Sequence, residues 1–313
     1  IRKRDIRFAV IAARGTSDHA GIYGKYLLEI KNGMPTALAN CSAFTLYNAD
    51  IHLENTLVIG VSQSGQALDV IEYLLQAKKR NALTVAITNE PDSNITEIAD
   101  YVIFCNAKKE EAIAATKTYT SSLGVFYLIS AILADNDKSI DMLVNCANEI
   151  KYALELDKII SEIVQKYKNM QSGAVISRGI NYCTALEVSL KLAETSYIGM
   201  RGYSSADFLH GPIVSIHKDN PCLIIAPKGK AFDSIFETSQ KLAEKKANTI
   251  IFSSEESILD IAKSKIKLNT MVSEELSPLV YVIAGQLFAY HLAIAKGNNP
   301  DKPEGLNKVT LTR

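Results

Sequence analysis

The stretch Val58-Ile59-Gly60-Val61-Ser62-Gln63-Ser64-Gly65-Gln66-Ala67-Leu68-Asp69-Val70 decides the fold. Its first part closes an apolar run, residues 57–61, with no polar side chain, which predicts a buried strand. From Leu68 on, Leu68, Ile71, Leu74 and Leu75 recur at helical spacing. Between strand and helix lies Ser62-Gln63-Ser64-Gly65, a turn with two readings that this stretch leaves open. A hydroxyl-rich turn that opens a helix can hold an anion on free backbone N–H groups at the positive end of the helix dipole. Equally, Ser64 can do no more than cap the helix.

The same alternation surrounds this stretch. Strands are predicted over Phe8–Ala12, Thr56–Val61, 83–87 and Tyr101–Phe104, and helices over 20–30, Leu68–Lys79 and 116–133. Alternating strands and helices imply right-handed crossovers and a parallel sheet covered on both faces. The pattern then recurs. Val10-Ile11-Ala12-Ala13-Arg14-Gly15 resembles Val175-Ile176-Ser177-Arg178-Gly179, the two Arg-Gly pairs lying 164 residues apart. Gly65 and Asp69 find Gly229 and Asp233 at the same offset. Two features with one offset predict an internal duplication: a first domain over 1–135, linking helices over 136–170 with Ile159, Ile163 and Tyr167 on one face, a second domain over 171–295, and a tail over 296–313. The expected fold class is α/β, two tandem domains, each a parallel five-stranded sheet between helix layers in the flavodoxin-like manner. The duplication is also a contrast. Where the first half has its serine turn, the second has Ala226-Pro227-Lys228-Gly229. A purely structural cap is expected to survive in both copies, so the contrast favours an anion site in the first.

Composition removes several function classes. The 313 residues allow roughly two domains of about 150. A formal net charge of zero argues against nucleic acid or an anionic membrane as the main partner. No uninterrupted run of about 18 apolar residues reads as a membrane span, and Ile1-Arg2-Lys3-Arg4-Asp5 lacks the apolar core of a signal peptide. The five cysteines are odd in number, widely spaced and without C-x-x-C, so reduced thiols and a cytoplasmic location are expected rather than a disulfide framework or a zinc site.

Parallel strands deliver their following turns to one edge of the sheet, where ligands bind. Arg14-Gly15-Thr16-Ser17-Asp18 follows the first strand, so Thr16, Ser17, Ser62, Gln63 and Ser64 are expected to converge. Hydroxyls and an amide without a basic cluster suit a phosphate monoester; a hydrogen bond to a charged group contributes about 1.5–3 kcal/mol. There is no G-x-x-x-x-G-K-[ST] and no G-x-G-x-x-G after a strand, so no nucleotide and no cofactor is expected. In the second half, residues 185–196 read as a helix with Glu187, Lys191 and Glu194 on one face. As isolated charges these read as a surface ion-pair stripe worth a few tenths of a kcal/mol. His210-Gly211-Pro212 follows a loop rich in small residues. A lone histidine is more often structural or exposed than catalytic, although the residue type exchanges protons near neutrality. The polar end, Pro300 to Lys308, reads either as a frayed terminus or as a tail that folds back and brings Lys308 to a site.

Together these residues resemble the SIS (sugar isomerase) family of phosphosugar-binding proteins. More closely, the chain is similar to the isomerase domain of glucosamine-6-phosphate synthase and to SIS-type glucosamine-6-phosphate deaminases. The resemblance covers nearly the whole chain and rests on the order and spacing of Arg14-Gly15-Thr16-Ser17, Ser62-Gln63-Ser64-Gly65, Ala115-Thr116-Lys117, Arg178-Gly179, Ala185-Leu186-Glu187, Leu190-Lys191-Leu192, Glu194, His210-Gly211-Pro212, Asn299-Pro300-Asp301-Lys302-Pro303 and Leu306-Asn307-Lys308. It implies that Thr16, Ser17, Ser62, Gln63 and Ser64 bind the sugar phosphate. It implies that Glu194 moves a proton between C1 and C2 of the open-chain sugar, with Lys191 beside it. It implies that His210 opens the ring from the neighbouring subunit of a homodimer, and that Lys308 meets the sugar carbonyl. No metal is implied, and no metal-ligand cluster is visible. The chain departs from the synthase pattern at Gln66-Ala67 (usually Glu-Thr), Ala115 (usually Ser) and Ala193 (usually Lys), and no stretch of it reads as a glutaminase domain. The departures favour a deaminase that converts glucosamine 6-phosphate to fructose 6-phosphate and ammonia. A fructosamine-6-phosphate deglycase, a plain aldose–ketose isomerase and a non-catalytic sugar-phosphate sensor are the alternatives.

Overall fold

The computed structural model describes residues 1, 4–217 and 220–308. The chain forms two compact units, each an α/β unit around a wholly parallel five-stranded sheet. The first unit comprises Ile1–Glu111, Ala115–Ile140 and the end of the chain from Asn307. Its strands are β1 (Phe8–Ala12), β2 (Thr36–Leu38), β3 (Thr56–Val61), β4 (Leu83–Thr88) and β5 (Tyr101–Phe104), in the order β2-β1-β3-β4-β5. Val58 and Ala86 face the helix Leu68–Lys79, packed with Val70, Leu74 and Ala77. The alternate residues Leu57 and Ile59 are buried as deeply, and point to the opposite face by the two-residue period of a strand. Burial on both faces is why residues 57–61 of β3 are all apolar.

The second unit comprises Ala112–Ala114 and Asp141–Leu306. Its strands are β6 (Ser172–Ser177), β7 (Gly199–Ser204), β8 (Cys222–Ala226), β9 (Thr249–Ser253) and β10 (Ser264–Lys267), in the order β10-β9-β8-β6-β7. Read from the other edge this is the order of the first sheet. The duplication extends to the backbone: Arg14 and Arg178 are both extended, at φ −140°, ψ 150° and φ −153°, ψ 159°. The glycines that follow them turn left-handed at φ 52° and 59°.

Several boundaries differ from the sequence reading. The helix expected over 20–30 begins at Gly15 and runs to Asn32, so Thr16 and Ser17 lie in its first turn. The small-residue loop expected before His210 is the edge strand β7, which pairs with β6 along its whole length. Of the face assigned to the linking segment, Ile163 and Tyr167 are buried but Ile159 is 47% exposed. The helix Asp157–Val164 instead sets Ile160, Ile163 and Val164 inward, against the helix Ser277–Ala295. That last helix is long and apolar enough to cross a membrane by length and composition, with mean hydropathy 1.5, although Gln286, Tyr290 and His291 interrupt its apolar run. In this unit it is a core helix, with 67% of its apolar window buried.

Candidate active site

In a parallel sheet the ligand crevice opens where strand order reverses, between β1 and β3 in the first unit. The turns after these two strands are Arg14–Ser17 and Ser62–Gly65. Gly65 adopts φ 63°, and a Cβ there would lie 2.0 Å from Ser93 Oγ, so both backbone and space demand glycine. Its N–H closes the turn onto Ser62 O at 3.1 Å, while Gly65 O accepts Ile95 N–H and Gln63 O accepts Asn89 N–H. The turn is therefore pinned through its backbone, which leaves its side chains uncommitted. The side chains of Ser17, Ser62 and Gln63 make no hydrogen bond among the described residues, although Ser62 is buried.

The capping alternative for Ser64 does not hold. The N-cap of Leu68–Lys79 is Ala67, with no side-chain cap, and Ser64 Oγ reaches only Gln66 N–H at 3.4 Å. The second unit shows what the same geometry accepts. At the 164-residue offset, the N–H groups of Lys230 and Ala231 correspond to those of Gln66 and Ala67. Both are taken by one carboxylate: Glu274 Oε2 accepts Lys230 N–H at 2.8 Å and Oε1 accepts Ala231 N–H at 3.1 Å. Gly229 makes room for it, since a Cβ there would lie 2.4 Å from the Glu274 carboxyl carbon. The second copy carries its own anion, whereas in the first the Ala67 N–H has no acceptor among the described residues.

In the second unit, the helix Tyr182–Ser196 lies against β6 and β7 on one side and Ser277–Ala295 on the other. This arrangement corrects the surface-stripe reading of Glu187, Lys191 and Glu194. Glu187 is 0% exposed, Lys191 2% and Glu194 22%; Lys191 Nζ lies 3.4 Å from Glu187 Oε1 and 2.5 Å from Glu194 Oε2. Burial alone would push the Lys191 ammonium below its ordinary value, but the two carboxylates outweigh it and raise it. A buried cation thus holds Glu194, whose side chain is 22% exposed while Oε2, the oxygen facing Lys191, is buried.

His210 follows the short helix Ser205–Leu209. It is exposed and makes no hydrogen bond or ion pair with Lys191 or Glu194 among the described residues. The polar end of the chain is not frayed as far as Lys308. Asn298 Nδ2 donates to Thr195 O at 3.1 Å, and Glu304 N–H donates to the Tyr197 hydroxyl at 2.6 Å. Residues 309–313 lie outside the described part. Lys308 Nζ donates to the main-chain oxygen of Glu110. Glu110, which sequence reasoning missed, is 4% exposed. Its carboxylate accepts the N–H groups of Thr116 and Thr118 at 3.1 and 3.0 Å and the Thr118 hydroxyl at 2.7 Å. It caps the helix Lys117–Leu133 and so fixes the Ala115-Thr116-Lys117 stretch. No local pattern marked Glu110, because its partners begin six residues away.

The model of the SIS domain matches residues 4–131 and 166–296, each span containing one of the two sheets. The chain belongs to the SIS domain family. A glutamine–fructose-6-phosphate aminotransferase of Thermococcus kodakarensis is 35% identical over 308 residues, covering 96% of this chain and 51% of the relative. The chain spans about half the length of the curated relatives it matches. Among solved SIS structures, the C-terminal domain of glucosamine-fructose-6-phosphate aminotransferase from Francisella tularensis superposes with a TM-score of 0.89 at 26% identity, covering 96% of this chain and 88% of that one. A glucosamine-6-phosphate deaminase from Thermotoga maritima superposes with a TM-score of 0.79 over 99% of this chain and 92% of that one; at 21% identity it shows the fold alone.

Proposed function

We propose that the chain is a phosphosugar isomerase-type enzyme that deaminates glucosamine 6-phosphate to fructose 6-phosphate and ammonia. The observation that carries the reading is Glu194, a partly exposed side chain whose carboxylate is held by the buried Lys191 ammonium at 2.5 Å. A sensor needs no such base. In this reading Thr16, Ser17, Ser62, Gln63 and Ser64 hold the phosphate. His210, supplied by the second copy of a homodimer, opens the ring. Glu194 takes the proton from C2 and returns it to C1, which turns the amine into a fructose imine. Water then hydrolyses the imine and releases ammonia. Lys191 offsets charge on the enediol-like intermediate, and Lys308 meets the sugar near C1 and C2.

The synthase relatives favour a second reading, the isomerase portion of an aminotransferase. Against it stand Gln66-Ala67, Ala115 and Ala193, where this chain departs from the synthase pattern. The deciding experiment measures ammonia from purified protein given glucosamine 6-phosphate, beside interconversion of fructose 6-phosphate and glucose 6-phosphate. Rapid ammonia release supports the deaminase. Interconversion without ammonia transfers the assignment to the isomerase portion. Binding with neither reaction removes both, in favour of a deglycase or a sensor.

Ser64→Ala tests the phosphate loop. Loss of one hydrogen bond to a charged group is expected to weaken sugar-phosphate binding by roughly 10- to 100-fold. Unchanged affinity in calorimetry would remove Ser64 from the site.

A further inference from the structure

The phosphate reading leaves one charged group at the serine turn without a role. Arg14 ends the segment after β1. Its carbonyl oxygen accepts Ser17 N–H at 3.0 Å, which ties it to the first hydroxyl turn. Its Nε donates to Asp69 Oδ2 at 2.5 Å, which ties it to the helix behind the second. Asp69 is itself fixed: it is 2% exposed, and its other oxygen accepts Val70 N–H at 2.9 Å. A buried carboxylate thus holds the inner nitrogen of a guanidinium whose side chain remains 49% exposed. Neither Nη nitrogen makes a hydrogen bond among the described residues, so the outer donors of the fork are free.

Charge points the same way. Asp18 stands in the same helical turn as Thr16 and Ser17. A phosphate brought beside Asp18 and Asp69 is opposed by both unless a cation stands with it, and neutral hydroxyls do not supply one. The second copy is a natural comparison. It keeps the equivalents Arg178 and Asp233, but no ion pair joins them among the described residues, and its turn is filled by Glu274. The tethered arginine occurs in the copy whose turn is not filled from within.

We propose that Arg14 is a phosphate ligand: Asp69 holds its Nε, and its free Nη nitrogens donate to the phosphate received by the hydroxyl turns. This rests on the phosphosugar reading and replaces the all-neutral site expected from the sequence with one that has a single positioned cation. Arginine suits the task because its planar fork can bind Asp69 on one edge and phosphate oxygens on another; a lysine offers charge without the fork.

The test measures binding of inorganic phosphate and of glucosamine 6-phosphate by calorimetry to the unaltered protein, Arg14→Gln and Arg14→Lys, with the unfolding midpoint of each without ligand. Arg14→Gln is expected to weaken both ligands by roughly 10- to 100-fold, as for loss of charge-assisted hydrogen bonds, and Arg14→Lys to fall between. A lowered midpoint with affinity within about twofold of the unaltered protein would make Arg14 a brace between loops and overturn the assignment. Phenylglyoxal labelling of the unaltered protein, read by mass spectrometry, decides the matter if Arg14→Gln does not fold. Phosphate is expected to shield Arg14, and labelling unchanged at saturating phosphate overturns the proposal. So does absence of phosphate binding by the unaltered protein. If both ligands bind and depend on Arg14 but no turnover occurs, the enzyme reading fails and the Arg14 assignment stands.

Discussion

Glu194→Gln is expected to leave glucosamine 6-phosphate bound and to lower turnover by a factor on the order of 10²–10⁴, the usual contribution of a positioned acid or base. The substitution keeps the side chain's size and its oxygen toward Lys191 but removes its ability to accept a proton. Lys191 Nζ lies 2.5 Å from that carboxylate and is held in turn by Glu187, so the base is positioned before substrate arrives. A merely structural Glu194 would give a different pattern, with affinity and unfolding midpoint falling while turnover per bound substrate persisted. The discriminating readout is solvent deuterium entering fructose 6-phosphate at C1 and, by reversal of the step, recovered glucosamine 6-phosphate at C2. It should vanish with ammonia release in Glu194→Gln and return in part in Glu194→Asp, which keeps the carboxylate on a shorter arm. Retention of more than about a tenth of the wild-type rate, with exchange intact, would assign the proton transfer to another group.

Some of these features are written in local sequence and others only in tertiary contacts. The turn Ser62–Gly65 was legible because the apolar strand before it and the helical period after it are both local signals, and both elements form at the expected places. The duplication was legible because an offset of 164 residues appears twice, and it marked Arg14 and Asp69 as equivalents of Arg178 and Asp233. It did not reveal that only one of these pairs closes, since an ion pair across 55 positions depends on how two helix starts face each other. β2 and β7 escaped for a related reason. The three residues Thr36–Leu38 are too few to show a period, and Gly199–Ser204 carries two glycines and an arginine. Pairing with β1 and β6 makes them strands rather than their own propensity. The charge stripe of Tyr182–Ser196 had the right spacing and the wrong environment. Helical period says which side chains share a face, but not that β6, β7 and a later helix will cover it.

That covering sets the second large effect. Lys191→Met is expected to destabilise the protein by about 3–5 kcal/mol, the range for removing one partner of a buried ion pair. Lys191 is 2% exposed and Glu187 0%, so solvent cannot replace the lost cation beside Glu187. The effect should exceed that of any exposed pair in the chain, such as Lys241 with Glu237, for which about 0–1 kcal/mol is usual. Urea unfolding of Lys191→Met beside Glu187→Gln/Lys191→Met separates charge from packing. If the uncompensated carboxylate carries the loss, the double variant should be more stable than the single one; if the two are equally weak, packing of the lysine stem carries it. The pH dependence follows from the sign of the shift. The folded Lys191 ammonium is raised above its ordinary value of 10.5, so its contribution is complete below that value and is lost only as pH rises through the higher folded value. The stability difference between wild type and Lys191→Met should therefore persist through neutral and mildly alkaline pH and shrink only in stronger alkali. A difference already gone near neutrality would mean that Lys191 is not held as an ammonium between Glu187 and Glu194. Glu194 would then lack the fixed cation on which its part in proton transfer depends.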